Sequence, residues 1–356
     1  MNDSYQDVRA KRGEITFRRT LSEQELGDEI CIPEAFSREE IMSVLADSME
    51  ETRRAFNQLV ARPISISPFL ELGAERGDRS FFLCNEFGAQ GFAFDLSLDA
   101  LQFGDRFIEE FGFSEVPFRI CGDAYSLPFR GNSFPFVFCF ATLHHFPDPL
   151  PIVQEALRVL QDGGYFYFDR EPTRGRIAIR LWTRHGYKLS RVETLLKQLG
   201  ILGFVSEGGG MEREYGILEN TFPLETWVGL TTLFDKAEMQ VNQTLKIQFD
   251  PSQFSVKQRL GQVVGGVTSG LCRVKKDEPP LSVNDWTQML RCPTCSTSER
   301  ESGLTLLPSG KGLQCVHCGI TYPQHNGVLL LLPQDLQQKL YPDWGPVFER
   351  SGTGKG

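Results

Sequence analysis

One stretch constrains this chain more than any other: an apolar run that ends in Glu71-Leu-Gly-Ala-Glu-Arg-Gly77, with the next apolar run ending at Asp95. Glycine in a strand-to-helix turn lets the backbone approach a ligand closely, and the helix start that follows offers unpaired N–H groups. A carboxylate at the tip of the second strand, about 20 residues on, can hold both hydroxyls of a ribose, which makes Asp95 the expected diol acceptor. Gly73 and Gly77 are present, but the full G-x-G-x-x-G that cradles a pyrophosphate is not, so a dinucleotide is disfavoured. After a third apolar run, Gly122-Asp123-Ala124 places another carboxylate where it can accept from an adenine amino group. Three carboxylates suit a cationic, phosphate-free nucleoside cofactor.

These motifs sit in an alternating pattern. Short apolar runs at 64–71, 91–95, 118–121, 134–140 and 164–169 are separated by helical segments, which argues for an α/β fold of parallel strands with crossover helices. The Phe-rich run 134–140 reads as a buried central strand. Ahead of the pattern, residues 1–60 read as an N-terminal helical cap. Ile41, Val44, Leu45, Met49, Phe56 and Leu59 recur at helical spacing, and Ser37-Arg-Glu-Glu40 opens the helix as a capping box. Strand-like stretches at 239–249 and 269–275 follow an insertion at about 174–235, which is too long for a simple connection and is expected on the substrate side. The main domain is thus 61–278, with a cysteine-containing module at 285–335 and a tail at 336–356.

The ordered motifs resemble the class I, S-adenosylmethionine-dependent methyltransferases, particularly the branch of quinone-biosynthesis and other small-molecule enzymes. The resemblance spans roughly 67–172. It rests on Glu71 to Gly77, Phe94-Asp95-Leu-Ser97, Gly122-Asp-Ala-Tyr-Ser-Leu-Pro-Phe129, Ala141-Thr-Leu-His-His-Phe146 and Leu157-Arg-Val-Leu-Gln-Asp-Gly-Gly164. It implies a Rossmann-like fold with a seven-stranded, mostly parallel sheet. It also implies that Glu71, Gly73, Ala74 and Gly77 line the methionine side of the cofactor, that Asp95 and Leu96 hold the ribose, and that Asp123 and Ala124 flank the adenine, with Phe140 at the end of the fourth strand. Glu75 stands where the family has its middle glycine, which predicts a different path for the loop.

Methyl transfer from a sulfonium is an in-line displacement, so the protein mainly aligns the nucleophile and excludes water. A hydroxyl acceptor gains from a general base, and His144 or His145, just after the fourth strand, is the nearest candidate by sequence. Packing beneath the cofactor is the competing role for both. Arg176, Arg180, Arg184, Lys188 and Arg191 are spaced by four, four, four and three, which predicts a basic stripe on one helix face, although Gly186 weakens the helix. The stripe is either a solvated face or a contact for an anionic acceptor, such as a phosphorylated sugar or lipid-linked glycan, or for an anionic membrane surface.

A formal net charge of −9 argues against a protein that holds nucleic acid by overall charge. Hydrophobic residues at 40% and charged residues at 23% match soluble globular chains. With no long apolar run and a charged beginning, the chain reads as cytoplasmic, with neither a spanning helix nor a secretory signal.

Four of the nine cysteines fall in two pairs, Cys292-Pro-Thr-Cys295 and Cys315-Val-His-Cys318. That spacing fits two zinc knuckles supplying a tetrahedral thiolate site better than a disulfide framework. Leu290 to Cys295, Cys315 to Pro323 and Gly327-Val-Leu-Leu-Leu-Leu332 resemble the small zinc-ribbon activator of tRNA, ribosomal RNA and translation-factor methyltransferases. The resemblance covers about 288–333. It implies a structural Zn2+ and a hydrophobic strand, 328–332, that packs on the methyltransferase domain of the same chain.

The expectation is an enzyme that methylates a small-molecule, glycan or lipid-linked acceptor. Two alternatives stand beside it. Methylation of tRNA or a translation protein draws on the ribbon, but no Asn-Pro-Pro-Tyr-type motif follows the fourth strand. A non-catalytic, cofactor-binding scaffold draws on Glu75 and on the absence of an assured base.

Overall fold

The computed structural model describes residues 3–26, 38–106, 111–177, 181–185, 190–198, 202–209, 217–241, 246–282, 285–296 and 302–342. Two helices, α1 (Asp3–Leu26) and α2 (Arg38–Val60), precede the first strand. The α/β unit then runs β1 (Phe69–Leu72), α3 (Asp78–Phe87), β2 (Gly91–Asp95), α4 (Leu98–Phe103), β3 (Phe118–Gly122), β4 (Phe134–Phe140), α5 (Leu150–Val159) and β5 (Leu160–Arg174). The segment after β5 carries β6 (Trp182–His185), α6 (Arg191–Gln198), α7 (Leu202–Val205) and β7 (Ser206–Gly209). β8 (Phe222–Pro223), α8 (Leu224–Thr231), β9 (Lys236–Val241), β10 (Ile247–Phe249), α9 (Val256–Val264) and β11 (Gly266–Arg273) complete this part. The cysteine module contains α10 (Pro293–Ser296), β12 (Leu304–Leu306), β13 (Gly312–Cys315), β14 (Thr321–His325) and β15 (Val328–Leu331), followed by α11 (Gln334–Leu340).

Alternation of side chains explains the layering. In the wholly buried β4, Phe136, Phe138 and Phe140 point into one core with Phe56 and Leu59 of α2 and Leu83 of α3. Val137 and Cys139 point the other way, into the larger core with Ile152 and Val153 of α5 and Leu224 and Trp227 of α8. Helices therefore cover both faces, as a parallel sheet requires.

The sheet has thirteen strands, not the seven expected, in the order β10-β9-β11-β5-β4-β1-β2-β3-β15-β14-β13-β12, with β8 beside β5. Seven consecutive positions, β9 to β3, form its middle. β3, β2, β1, β4 and β5 are mutually parallel, whereas β11 runs antiparallel to β5 and β9 antiparallel to β11. Two features extend it. The stretch 239–249, read as one strand, folds into the hairpin β9–β10, and β15 of the cysteine module pairs in parallel with β3, Leu329 opposite Ile120. A free edge at β3 presents unpaired N–H and C=O groups, and the apolar run 328–331 satisfies them. With its antiparallel additions the sheet is mixed rather than mostly parallel.

Residues 336–342, assigned to the tail, are part of the fold. Tyr341 is buried, its hydroxyl donating to Leu96 O at 2.6 Å and accepting from Leu98 N at 3.0 Å. No helix among the described residues is long and apolar enough to cross a membrane.

Candidate functional site

Parallel strands β1, β2, β3 and β4 bring their C-terminal ends to one edge of the sheet, and the loops leaving them surround a cavity of about 380 Å³. Gly73, Glu75, Asp95, Leu96, Asp123, Ala124, Phe140, His144 and His145 all line it. Glu71 is fully buried on β1 and Gly77 caps α3 with φ 78°, a conformation that glycine adopts without strain. Ala74 is buried behind the same turn. Gly73 is left-handed (φ 67°) and packed so closely on Thr142 that a Cβ would overlap the threonine side chain.

Glu75 is the departure noted in sequence, and its backbone is left-handed, φ 53°. The position thus keeps a conformation that glycine takes freely, at the cost of strain in a residue with a side chain. Its amide donates to Asp95 Oδ2 at 2.7 Å, while Ser97 N donates to Oδ1 at 2.8 Å. Each carboxylate oxygen keeps a second lone pair. Burial raises the Asp95 pKa to about 6, although both amides work against that rise. Asp123 caps the short turn Ala124–Ser126, accepting from Tyr125 N at 3.1 Å.

Helix α1 closes the cavity from outside, a role that sequence did not reveal. Lys11 is buried and its Nζ lies 2.8 Å from Asp123 Oδ2, and Arg18 pairs with Glu75 at 2.8 Å. Arg19 meets Asp99 at 3.2 Å, and Ile15 packs with Ala74, Leu98 and Tyr341. Lys11 therefore occupies Asp123, one of the three carboxylates expected to suit a cationic ligand, and Arg18 pairs with Glu75, the residue that replaces the middle glycine.

The turn after β4, which lines the cavity, is held by Glu171, buried on β5. Its carboxylate accepts from the backbone N–H groups of Thr142, Leu143 and His144 at 2.9, 3.0 and 3.1 Å, and from His144 Nδ1 at 3.0 Å. One carboxylate thus fixes the whole turn after β4. His144 Nε2 lies 3.6 Å from Glu219. Burial disfavours the His144 charge, but hydrogen bonds to Glu171 and Glu219 outweigh it and raise the pKa to about 9, so the ring is cationic at neutral pH. His145 differs. Its Nδ1 lies 2.9 Å from Leu218 O and 3.2 Å from Glu219 Oε1, acceptors to which only a protonated Nδ1 can donate, so in the neutral ring the lone pair is on Nε2. Ile217, Leu218 and Glu219 reach the cavity from the end of the insertion. Glu171 and Glu219 had no recognisable sequence motif, because their importance arises from what the fold brings beside them.

The basic stripe is not one helix face. Arg184 lies on β6, which pairs in parallel with β7, Thr183 opposite Glu207, so the four-residue spacing does not reflect a continuous helix. Arg176 is exposed and ion-paired with Glu225. Arg180 and Lys188 lie outside the described residues.

Groups that fit a cofactor are present. The buried Glu71 Oε1 has no hydrogen-bond partner among the described residues, and Asp95 and Asp123 present acceptors at the cavity itself. In the cysteine module, Cys292 and Cys318 Sγ are 3.7 Å apart, as are Cys295 and Cys315 Sγ, and all four sulfurs lie within 4.8 Å of one another. Tetrahedral Zn–S bonds of about 2.3 Å place sulfurs about 3.8 Å apart. Cys315 Sγ also accepts from the His317 and Cys318 amides at 3.3 and 3.4 Å, which suits a thiolate. The donor set and spacing both fit zinc.

Residues 70–168 match a family described as "Methyltransferase domain". Among curated proteins, the chain is 28% identical over 130 residues to "Probable tocopherol O-methyltransferase, chloroplastic" of Oryza sativa, covering 33% of this chain and 36% of that protein. It is 36% identical over 70 residues to the demethylmenaquinone methyltransferase of Bacillus velezensis, covering 20% and 30%. It is 29% identical over 163 residues to the tRNA U34 carboxymethyltransferase of Campylobacter hominis, covering 43% and 54%. The chain spans about a third to a half of the length of these relatives.

Proposed function

We propose that this chain, whose residues 70–168 carry an S-adenosylmethionine-dependent methyltransferase domain, transfers a methyl group to a small-molecule or lipid-linked acceptor in the cavity between the strand tips and α1. The observation that carries this reading is convergence: Gly73, Asp95, Leu96, Asp123, Ala124 and Phe140 line one cavity, which His145 and Glu219 line as well. In this reading Asp95 accepts the ribose hydroxyls, Asp123 accepts from the adenine amino group in place of Lys11, and the turn from Glu71 to Gly77 receives the methionine portion. When bound, the cofactor supplies a methyl group already activated on a sulfonium.

The chain's own residues then align the acceptor and handle its proton. His145 Nε2 is the base for a hydroxyl or ammonium acceptor, and the cationic His144 acts as a fixed charge that holds Glu219. Glu171 positions both by organising the turn that carries them. The two relatives named for tocopherol and demethylmenaquinone support a lipid-soluble acceptor. The tRNA relative supports nucleic acid, against which the net charge of −9 counts. The four-cysteine module is read as a zinc ribbon that stabilises the edge of the sheet in cis.

The experiment is methyl-labelled S-adenosylmethionine incubated with the protein and, separately, lipid, soluble-metabolite and RNA fractions. Label is expected in the lipid or small-molecule fraction, with its loss in His145→Gln while the cofactor still binds. Label in RNA alone would overturn the acceptor assignment, and no label in any fraction beside tight cofactor binding would favour a scaffold.

A further inference from the structure

The stretch 174–198 holds seven Arg and Lys against a single acid, Glu193, in a chain whose net charge is −9. Ordinary surface charge would leave such a stretch polar. Instead Ile177, Leu181, Trp182, Val192 and Leu195 are 57, 68, 36, 64 and 55% exposed. Single exposed apolar side chains need no explanation, but five large ones within 19 residues do. Val192 and Leu195 are three apart on α6 and share a face. The Trp182 indole donates to Glu193 at 3.1 Å, which holds β6 beside that helix. The Ile177 amide donates to Val263 O, placing the first of the five next to α9, whose Val256 and Leu260, four apart on one face, are also exposed. Arg174 and Arg191 are exposed in the same segment.

We infer that this face docks on an anionic lipid bilayer, with the aliphatic side chains and Trp182 inserted at the headgroup boundary and Arg174 and Arg191 on the phosphates. Cations interleaved with large apolar side chains are what an interfacial segment requires. A protein partner's interface core would be depleted of charge, and among the described residues the exposed large side chains of 174–198 are aliphatic but for Trp182, whereas single-stranded nucleic acid calls for a series of stacking aromatics. The same insertion also supplies Ile217 and Leu218 to the cavity. The docking surface itself does not depend on the reading of the cavity.

Flotation of the full chain with phosphatidylcholine vesicles, with and without phosphatidylglycerol, tests it. The protein floats with the anionic vesicles alone, and rising salt releases it. Leu181→Ser with Leu195→Ser weakens binding about tenfold for each leucine, and Arg174→Glu with Arg191→Glu about fivefold for each arginine. All four side chains are exposed, so circular dichroism and S-adenosylhomocysteine binding stay unchanged. Absence of flotation with anionic vesicles at low salt, or equal flotation of the leucine variant, overturns the inference. Retention of a single-stranded RNA that the arginine variant loses and the leucine variant keeps, without vesicle binding, would assign the face to nucleic acid. A protein that floats but binds no cofactor would overturn the reading of the cavity alone.

Discussion

Gly73→Ala tests the tight turn at the centre of the cavity. A Cβ there would overlap Thr142 Cγ2 and stand 2.6 Å from its Oγ1 and 3.0 Å from its Cβ, and φ of 67° is left-handed. Thr142 has little room to yield, since its Oγ1 donates to Phe140 O at 2.8 Å and its amide to Glu171 at 2.9 Å. The left-handed backbone costs an L-residue about 1–2 kcal/mol, and forcing a methyl into a packed site adds about 1–3 kcal/mol, so the variant loses about 2–5 kcal/mol in total. Gly88→Ala is the control, with φ 61° and no atom of the described residues within 4 Å of the added Cβ. It bears the backbone cost alone, about 1–2 kcal/mol. Urea unfolding of both variants reads the difference directly, and calorimetry with S-adenosylhomocysteine should show weakened binding for Gly73→Ala alone. Equal destabilisation, or unchanged affinity in Gly73→Ala, would refute the argument that Thr142 and the turn are held in register.

Burial raises the Glu71 pKa to about 8 despite Arg79 and Ser80, so the folded state binds this proton more tightly than the unfolded chain. Its contribution is complete below the unfolded value near 4.5 and disappears as pH rises through about 8. Urea unfolding at pH 6 and pH 9 should therefore show Glu71→Gln gaining on the wild type at the higher pH, and a difference independent of pH would contradict this. Lys11→Met removes the cation that competes for Asp123, so affinity for S-adenosylhomocysteine should rise about tenfold, the loss of one hydrogen-bonded charge pair; a fall would mean that Lys11 itself holds the ligand. A zinc chelator should release about one equivalent of metal and increase hydrogen exchange at β15 and β3 together, because those strands pair. Exchange confined to the four-cysteine loops would contradict that coupling.

How much of this was legible in sequence follows from how local each signal is. Gly73, Asp95 and Asp123 could be placed because parallel strands repeat the same geometry at each tip, so a turn or acid after an apolar run maps to one edge. Cys292 to Cys318 announce their cluster by spacing. Glu171 could not be found this way: it is one acid on a long strand until the fold sets three amides and His144 around it. Helix α1 was legible as a helical cap but not as the cavity's cover, since Lys11 and Asp123 are far apart in sequence and meet only in three dimensions. The sheet exceeds its expected width because a second module adds β15 to an exposed edge, a pairing written in neither strand alone. The Arg176 to Arg191 spacing imitates a helix, but β-branched and aromatic residues around Trp182 pair with β7 instead.

The central claim is that the cavity binds the nucleoside of S-adenosylmethionine through Asp95. Calorimetric titration of the wild type and Asp95→Ala with S-adenosylhomocysteine measures it most directly. The wild type should show saturable one-to-one binding that weakens as pH falls below about 6, because the acceptor carboxylate becomes protonated. The variant should lose at least about tenfold in affinity, as expected for hydrogen bonds to a charged group. Equal binding by the two proteins, or none by the folded wild type, would contradict it.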